Sequence, residues 1–374
     1  MKRYFRWICV ALLCAVLAIP CRAAPLSEEL AAQLGIESLN SEIPLQAKEF
    51  ADDADLSGLS VGEILKLSPS SLWNGIAVQM GRILSSARAQ LFSILAVVLL
   101  CALLSVVSSG GGESLPFGLI ANLTIFAVLL DPLISCITVC ASTLRSAAQF
   151  MLAYVPVYAM VAATGGAPAT AGAYQMIVLA ASQFSAQFSS ATLLPLLQCY
   201  LVLSLAGGLG KNKGIRSLSS GVKKVVNWSL VLMMTCFAGI LSLQSFLGAA
   251  ADTAAVKTVK FLAGSFIPVV GSAVTDAWAA LQGSVRIIHA SVGSFGVAVA
   301  VCTFLPALIT VTVLRAVVAF AATVGEMLSV SEVEDILSGC GNVLSVLTAL
   351  LVSMLLVSVI STATLLFLCG GGVK

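Results

Sequence analysis

The chain has 374 residues, 59% of them hydrophobic and only 10% charged, with a formal net charge of +2. Its mean hydropathy is +1.06. A soluble domain carries roughly 25% charged residues, so a water-soluble globule is excluded and lipid must cover much of the surface. No basic stripe is interleaved with aromatics, which argues against nucleic acid as a partner.

The first 23 residues read as a signal peptide. Lys2, Arg3 and Arg6 precede an apolar core from Trp7 to Ile19, then Pro20 and small residues, with Ala23 as the expected cleavage point. An uncleaved leader is the alternative. Residues 24–88 form an exported acidic helical segment. Between residues 25 and 66 it holds Glu28, Glu29, Glu37, Glu42, Glu49, Asp52, Asp53, Asp55 and Glu63 against Lys48 and Lys66. Short helices are expected there, with a solvated acidic face that contacts a protein partner. Asp53, Asp55, Ser57 and Gly58 imitate the first half of a calcium loop. Ile64 stands where the bidentate glutamate belongs, so the loop is rejected. Ser68 and Pro69 are a cap and a first helical position, and Trp73, Ile76, Met80, Ile83 and Ala87 form one apolar face of the helix that follows.

Residues 89–374 read as a multi-span membrane domain, because a span needs about 20 mostly apolar residues. The candidate spans are 91–109, 117–141, 148–164, 173–190, 191–209, 225–247, 293–314 and 341–369, which amounts to six to eight crossings. The fourth and fifth are adjacent and suggest a tight hairpin around Pro195. The basic loop 210–224 carries Lys211, Lys213, Arg216, Lys223 and Lys224 with no acid, and these residues set the topology with that loop inside. A cleaved leader followed by five spans gives the same orientation. The fold class is therefore all-α, a polytopic membrane helical bundle with a small exported N-terminal helical segment.

Between two apolar runs lies a half-polar segment, residues 249–292. Val274, Trp278, Leu281, Val285, Ile288 and Val292 make an apolar helical stripe, and Thr275, Asp276, Gln282, Arg286 and His289 lie off it. Upstream, Lys257 and Lys260 sit one turn apart. "FIPVVG" joins the two arms, with Pro268 removing a donor and Gly271 permitting a bend. This amphipathic hairpin has two physical readings. It lies at the interface with its polar face wet, or it re-enters the membrane and lines a path. In the second reading Asp276, Gln282, Arg286 and His289 line or gate the path, together with Asp131 in "LLDPL". Pro132 gives that stretch a structural reading as well.

No catalytic constellation emerges. "GSFG" at residues 293–296 has its serine out of place for an intramembrane protease. No phosphate loop, zinc cluster or paired carboxylates appear, so no catalytic, cofactor-binding or metal site is assigned and no cofactor is expected. Cys136 and Cys140 are one turn apart in an apolar run and read as small buried hydrophobes.

Three stretches resemble the stage III sporulation protein AE family of endospore-forming bacteria: "YVPVYAMVAATGGAPATAGAY", "GIRSLSSGVKKVVNWSLVLMMTCFAGILSLQS" and "VKTVKFLAGSFIPVVGSAVTDA". The order of leader, acidic segment, spans and basic loop is similar too. The resemblance implies a non-catalytic subunit in the mother-cell membrane around the forespore. Its partners would be the other subunits of one sporulation operon and, through the complex, a forespore membrane protein. Together these would form a channel or secretion-like conduit. A stand-alone secondary transporter is the alternative from another class. It would favour inverted repeats with paired broken helices, and only a weak counterpart to the Pro268 break exists near "GGAPATAG".

Overall fold

The computed structural model describes residues 36–53, 69–108, 115–164, 168–209, 213–266, 271–328 and 331–370. Among them every element is helical. Two short helices, α1 (Ile36–Ser41) and α2 (Leu45–Asp53), precede the long rods α3 (Pro69–Ser108) and α4 (Leu115–Thr164). Then come α5 (Pro168–Phe188), a π-helical turn (Ser189–Leu193) and α6 (Leu194–Leu209). The chain continues through α7 (Lys213–Phe266), α8 (Gly271–Met327) and α9 (Ser331–Gly370). The leader and the calcium-like stretch beyond Asp53 lie outside the described residues. The start of α3 at Pro69 is as expected: proline's fixed φ suits a first helical position, and its missing N–H is not needed there.

Among the described residues, six rods are long and apolar enough to cross a membrane: Trp73–Leu103, Leu123–Thr164, Ala171–Gly207, Gly214–Ser242, Ala290–Met327 and Asp335–Thr364. Two expected boundaries are replaced by continuous helix. The polar interval at 142–147 contains neither Gly nor Pro, so nothing in the backbone stops α4, which is one helix of 50 residues. At Pro195 the expected hairpin is absent. The ring of an in-helix proline crowds the carbonyl four residues back. Here the preceding turn widens to π geometry, with the Leu194 N–H donating to the Ser189 carbonyl, and the rod continues.

The six rods run 29 to 42 residues. At 1.5 Å per residue that is about 44–63 Å, against a hydrocarbon layer of about 30 Å. The bundle is therefore taller than the apolar slab, and rods must tilt or project beyond it. The pair α8 and α9 is innermost. In their most apolar stretches 56% and 67% of residues are buried, against 28–39% in the other four rods. These two pack most extensively on each other, with α3, α4 and α6 around them.

Two apolar cores result. The larger joins Ile94 and Val98 of α3, Leu133 of α4, Leu197 of α6, Leu230 of α7, Phe304 of α8 and Leu347 of α9. The second sits at the end of the rods where α1 and α2 dock. Leu39, Ile43, Ala47 and Phe50 enter it beside Phe150, Tyr154 and Tyr158 of α4, Tyr174 of α5, Leu241 of α7 and Phe295 of α8. Glu42, Glu49 and Asp52 stay exposed, so α1 and α2 bury their apolar side on the chain itself and present acids outward. Asp53 ends α2 with an ion pair to Arg82 of α3 at 2.6 Å. Of the apolar stripe foreseen on α3, Ala87 is buried and Ile76 packs on the second core, whereas Trp73 and Met80 are exposed.

Candidate functional site

Two of the cations expected to set the topology make contacts where α6, α7 and α9 meet. Arg216 pairs with Asp335 and its Nε–H donates to the Gly207 carbonyl at 3.4 Å. Lys223 Nζ donates to Asn342 Oδ1 at 2.7 Å. Lys224 is exposed, Lys213 opens α7, and Lys211 lies outside the described residues. The arms of the amphipathic hairpin are continuous with rods α7 and α8, extending them beyond the apolar stretches. Gly271 opens α8, and Asp276, Gln282, Arg286 and His289 follow on it. Their side-chain surroundings and Pro268 lie outside the described residues. Asp131 is exposed on α4, and the helix passes through Pro132 without a break. The helix that carries Asp131, α4, packs along α8, which carries the hairpin's second arm.

"GSFG" has a packing role. Gly293 and Gly296 are buried in α8, and Ser294 Oγ donates to the Ser291 carbonyl of its own helix at 2.9 Å. Gly296 lies against the Tyr154 ring so closely that a Cβ there would overlap it. The Tyr154 hydroxyl donates to the Val292 carbonyl at 3.0 Å, locking α4 to α8. Among the described residues no group of His, Cys, Asp or Glu is placed to hold a metal ion. Cys136 and Cys140 are buried in the larger core.

The polar site that the sequence reading missed lies between α4 and the α5–π-turn rod. Arg145 and Gln149 on α4 are one turn apart, as are Gln183 and Gln187 on α5. With Ser190 of the π turn they line a cavity of about 400 Å³, with Leu152 on its wall. Gln183 Nε2 donates to the Ala148 carbonyl at 2.8 Å, which pins the two walls. Arg145, Gln149 and Gln187 are exposed, so the groove opens sideways from the bundle. The π turn contributes to its shape. Ser189 points inward, its Oγ 3.6 Å from Met233 Sδ and 3.5 Å from Met354 Sδ. The neighbouring Ser190 faces the groove and donates to the Gln187 carbonyl at 3.2 Å. Two i,i+4 polar pairs were visible in the sequence. Only the packing of α4 against the α5–π-turn rod brings them to one groove.

Comparison with known proteins supplies the remaining observation. The family model for Stage III sporulation protein AE matches residues 56–369, nearly the whole membrane domain. The chain is also similar to Stage III sporulation protein AE of Bacillus subtilis (strain 168), 25% identical over 159 residues. That match covers 42% of this chain and 40% of the relative, so the chain aligns with about two-fifths of the relative's length. No solved structure matches. The family is named for a stage of sporulation and not for a reaction. With six rods fit to cross a membrane and a family match over most of its length, the chain belongs to the stage III sporulation protein AE family as a multi-pass, all-helical membrane protein.

Proposed function

We propose that the chain is a non-catalytic membrane subunit of a sporulation channel or secretion-like complex, seated in the mother-cell membrane facing the forespore. The family match over residues 56–369 carries this reading. The wide exposure of large apolar side chains along the rods supports it, since these surfaces suit lateral association with other membrane helices as well as lipid. The orientation follows the charges. Residues 213–224, expected as part of a basic loop, are instead the first turns of α7. Three rods precede this basic segment, an odd number like the five first expected, so an exported N-terminal segment again leaves it on the cytoplasmic side. The second core, with α1 and α2 on it, then lies on the outer side. The acids left exposed there offer a surface for exported parts of sibling subunits.

The test is isolation of the tagged full-length chain from membranes of sporulating cells. Sibling subunits from the same operon are expected to co-isolate in defined proportion. Recovery of the chain alone, together with solute movement when it is reconstituted alone in vesicles, would replace this reading with the stand-alone transporter.

A further inference from the structure

We propose that the lateral groove of Arg145, Gln149, Gln183, Gln187 and Ser190 receives the carboxylate of an Asp or Glu placed mid-span on a transmembrane helix of a different membrane protein. This rests on the reading of the chain as one subunit among several. Arg145 is exposed at the groove mouth and forms no ion pair among the described residues. An unpaired guanidinium facing hydrocarbon is costly, and charges at such depth are ordinarily paired with one another or with polar groups. Arginine's planar fork suits a carboxylate, and the amide N–H groups of Gln149 and Gln187 can donate to the oxygens it leaves free.

Depth selects the source of the anion. Arg145 stands 22 residues from Leu123 and 19 from Thr164, and Gln187 stands 16 from Ala171 and 20 from Gly207. Both rods thus place the groove near half-length. A bundle centred in the bilayer puts it about 15 Å from either headgroup layer, out of reach of lipid phosphate. A second copy of this chain does not fit either. Within the six spans the only acids are Asp131, Glu326 and Asp335, and the last two sit at or beside rod ends. Asp131 lies 14 residues from Arg145 on the same helix, about 21 Å along its axis. Copies sharing one orientation in the membrane cannot remove that offset. The acid must therefore come from another protein.

The experiment uses the full-length tagged chain in membranes of sporulating cells, with a photo-crosslinking amino acid in place of Leu152 on the groove wall. Irradiation is expected to yield an adduct with a peptide from a different integral membrane protein, one carrying an Asp or Glu inside an apolar span. Arg145→Gln should lower the yield at least tenfold at equal chain abundance, and Arg145→Lys should retain most of it. Converting the captured acid to its amide should lower the yield equally, and this arm leaves the present chain untouched should Arg145→Gln fold poorly. An adduct indifferent to Arg145 and to the captured acid, an adduct with lipid, an adduct with a second copy, or no adduct would each overturn the proposal. Sibling co-isolation is scored in the same preparation. Siblings present without the Arg145-dependent adduct would sink this inference alone, whereas their absence would sink the assembly reading.

Discussion

At the scale of single residues, Gly296 packs directly against Tyr154, and its cost of change can be stated. Tyr154 is fully buried, its ring 5.3 Å from those of both Phe150 and Tyr158 by centroid. A methyl group at Gly296 must displace a ring held on both sides and by a hydrogen bond. Gly296→Ala is expected to cost about 1–3 kcal/mol as overpacking. Gly339 approaches Ser204 with similar closeness, but the clash is with a hydroxyl that can rotate, so Gly339→Ala should cost less. Gly81 has open space around its missing Cβ, and Gly81→Ala should stabilise slightly through helix propensity. Thermal unfolding of the detergent-solubilised protein checks the order: Gly296→Ala lowest, then Gly339→Ala, with Gly81→Ala at or above the parent. Equal midpoints for Gly296→Ala and Gly81→Ala would refute the account.

Among elements, α2 is the piece whose attachment is easiest to dissect. Its hold is mainly apolar, because Ala47, Phe50 and Ala51 are buried, Phe50 completely. The Asp53–Arg82 pair adds less, since the Arg82 side chain is 64% exposed and water screens it. Phe50→Ala should therefore cost about 3–5 kcal/mol, by loss of burial and by the cavity left. Asp53→Asn should cost less than about 1 kcal/mol. Limited proteolysis of the detergent-solubilised protein, read as the cleavage rate between residues 36 and 53, should rise steeply for Phe50→Ala and barely for Asp53→Asn. The reverse ranking would mean that the ion pair holds the helix. On the other side of the bundle, the Arg216–Asp335 pair has both side chains half exposed. Arg216→Asp should loosen the junction of α7 and α9 modestly, and Arg216→Asp with Asp335→Arg should recover most of the loss, as a double-mutant cycle in detergent would show.

For the whole molecule, orientation is the property on which the functional reading depends. Single cysteines at Glu49 and Ser220 suit the test because both positions are exposed, whereas the neighbouring Ser219 is buried. In intact cells an impermeant thiol reagent should label Glu49→Cys and spare Ser220→Cys, after subtraction of the parent's own cysteines. Permeabilised cells should label both. Labelling of Ser220→Cys alone in intact cells would invert the topology and place the docked helices in the cytoplasm.

The sequence by itself determined the class and the medium: an all-helical chain too poor in charge for water, with a helix start legible at Pro69 and a cluster of basic residues between the third and fourth rods. Those features are local, written in composition, periodicity and single punctuating residues. The family phrases were equally legible, because they are runs of consecutive residues. The tertiary structure alone decided how many rods there are, since hydropathy dips at 142–147 while the backbone there has no reason to break, and since a π turn absorbs Pro195. It alone seated α1 and α2 on the second core. It alone assembled the groove, for Arg145 and Gln183 become neighbours only when α4 and α5 pack in one register, set by contacts such as the Gln183–Ala148 hydrogen bond. Between apolar rods the register is chosen by how side chains interlock across helices, and that fit is a property of residue pairs distant in sequence, such as Tyr154 and Val292.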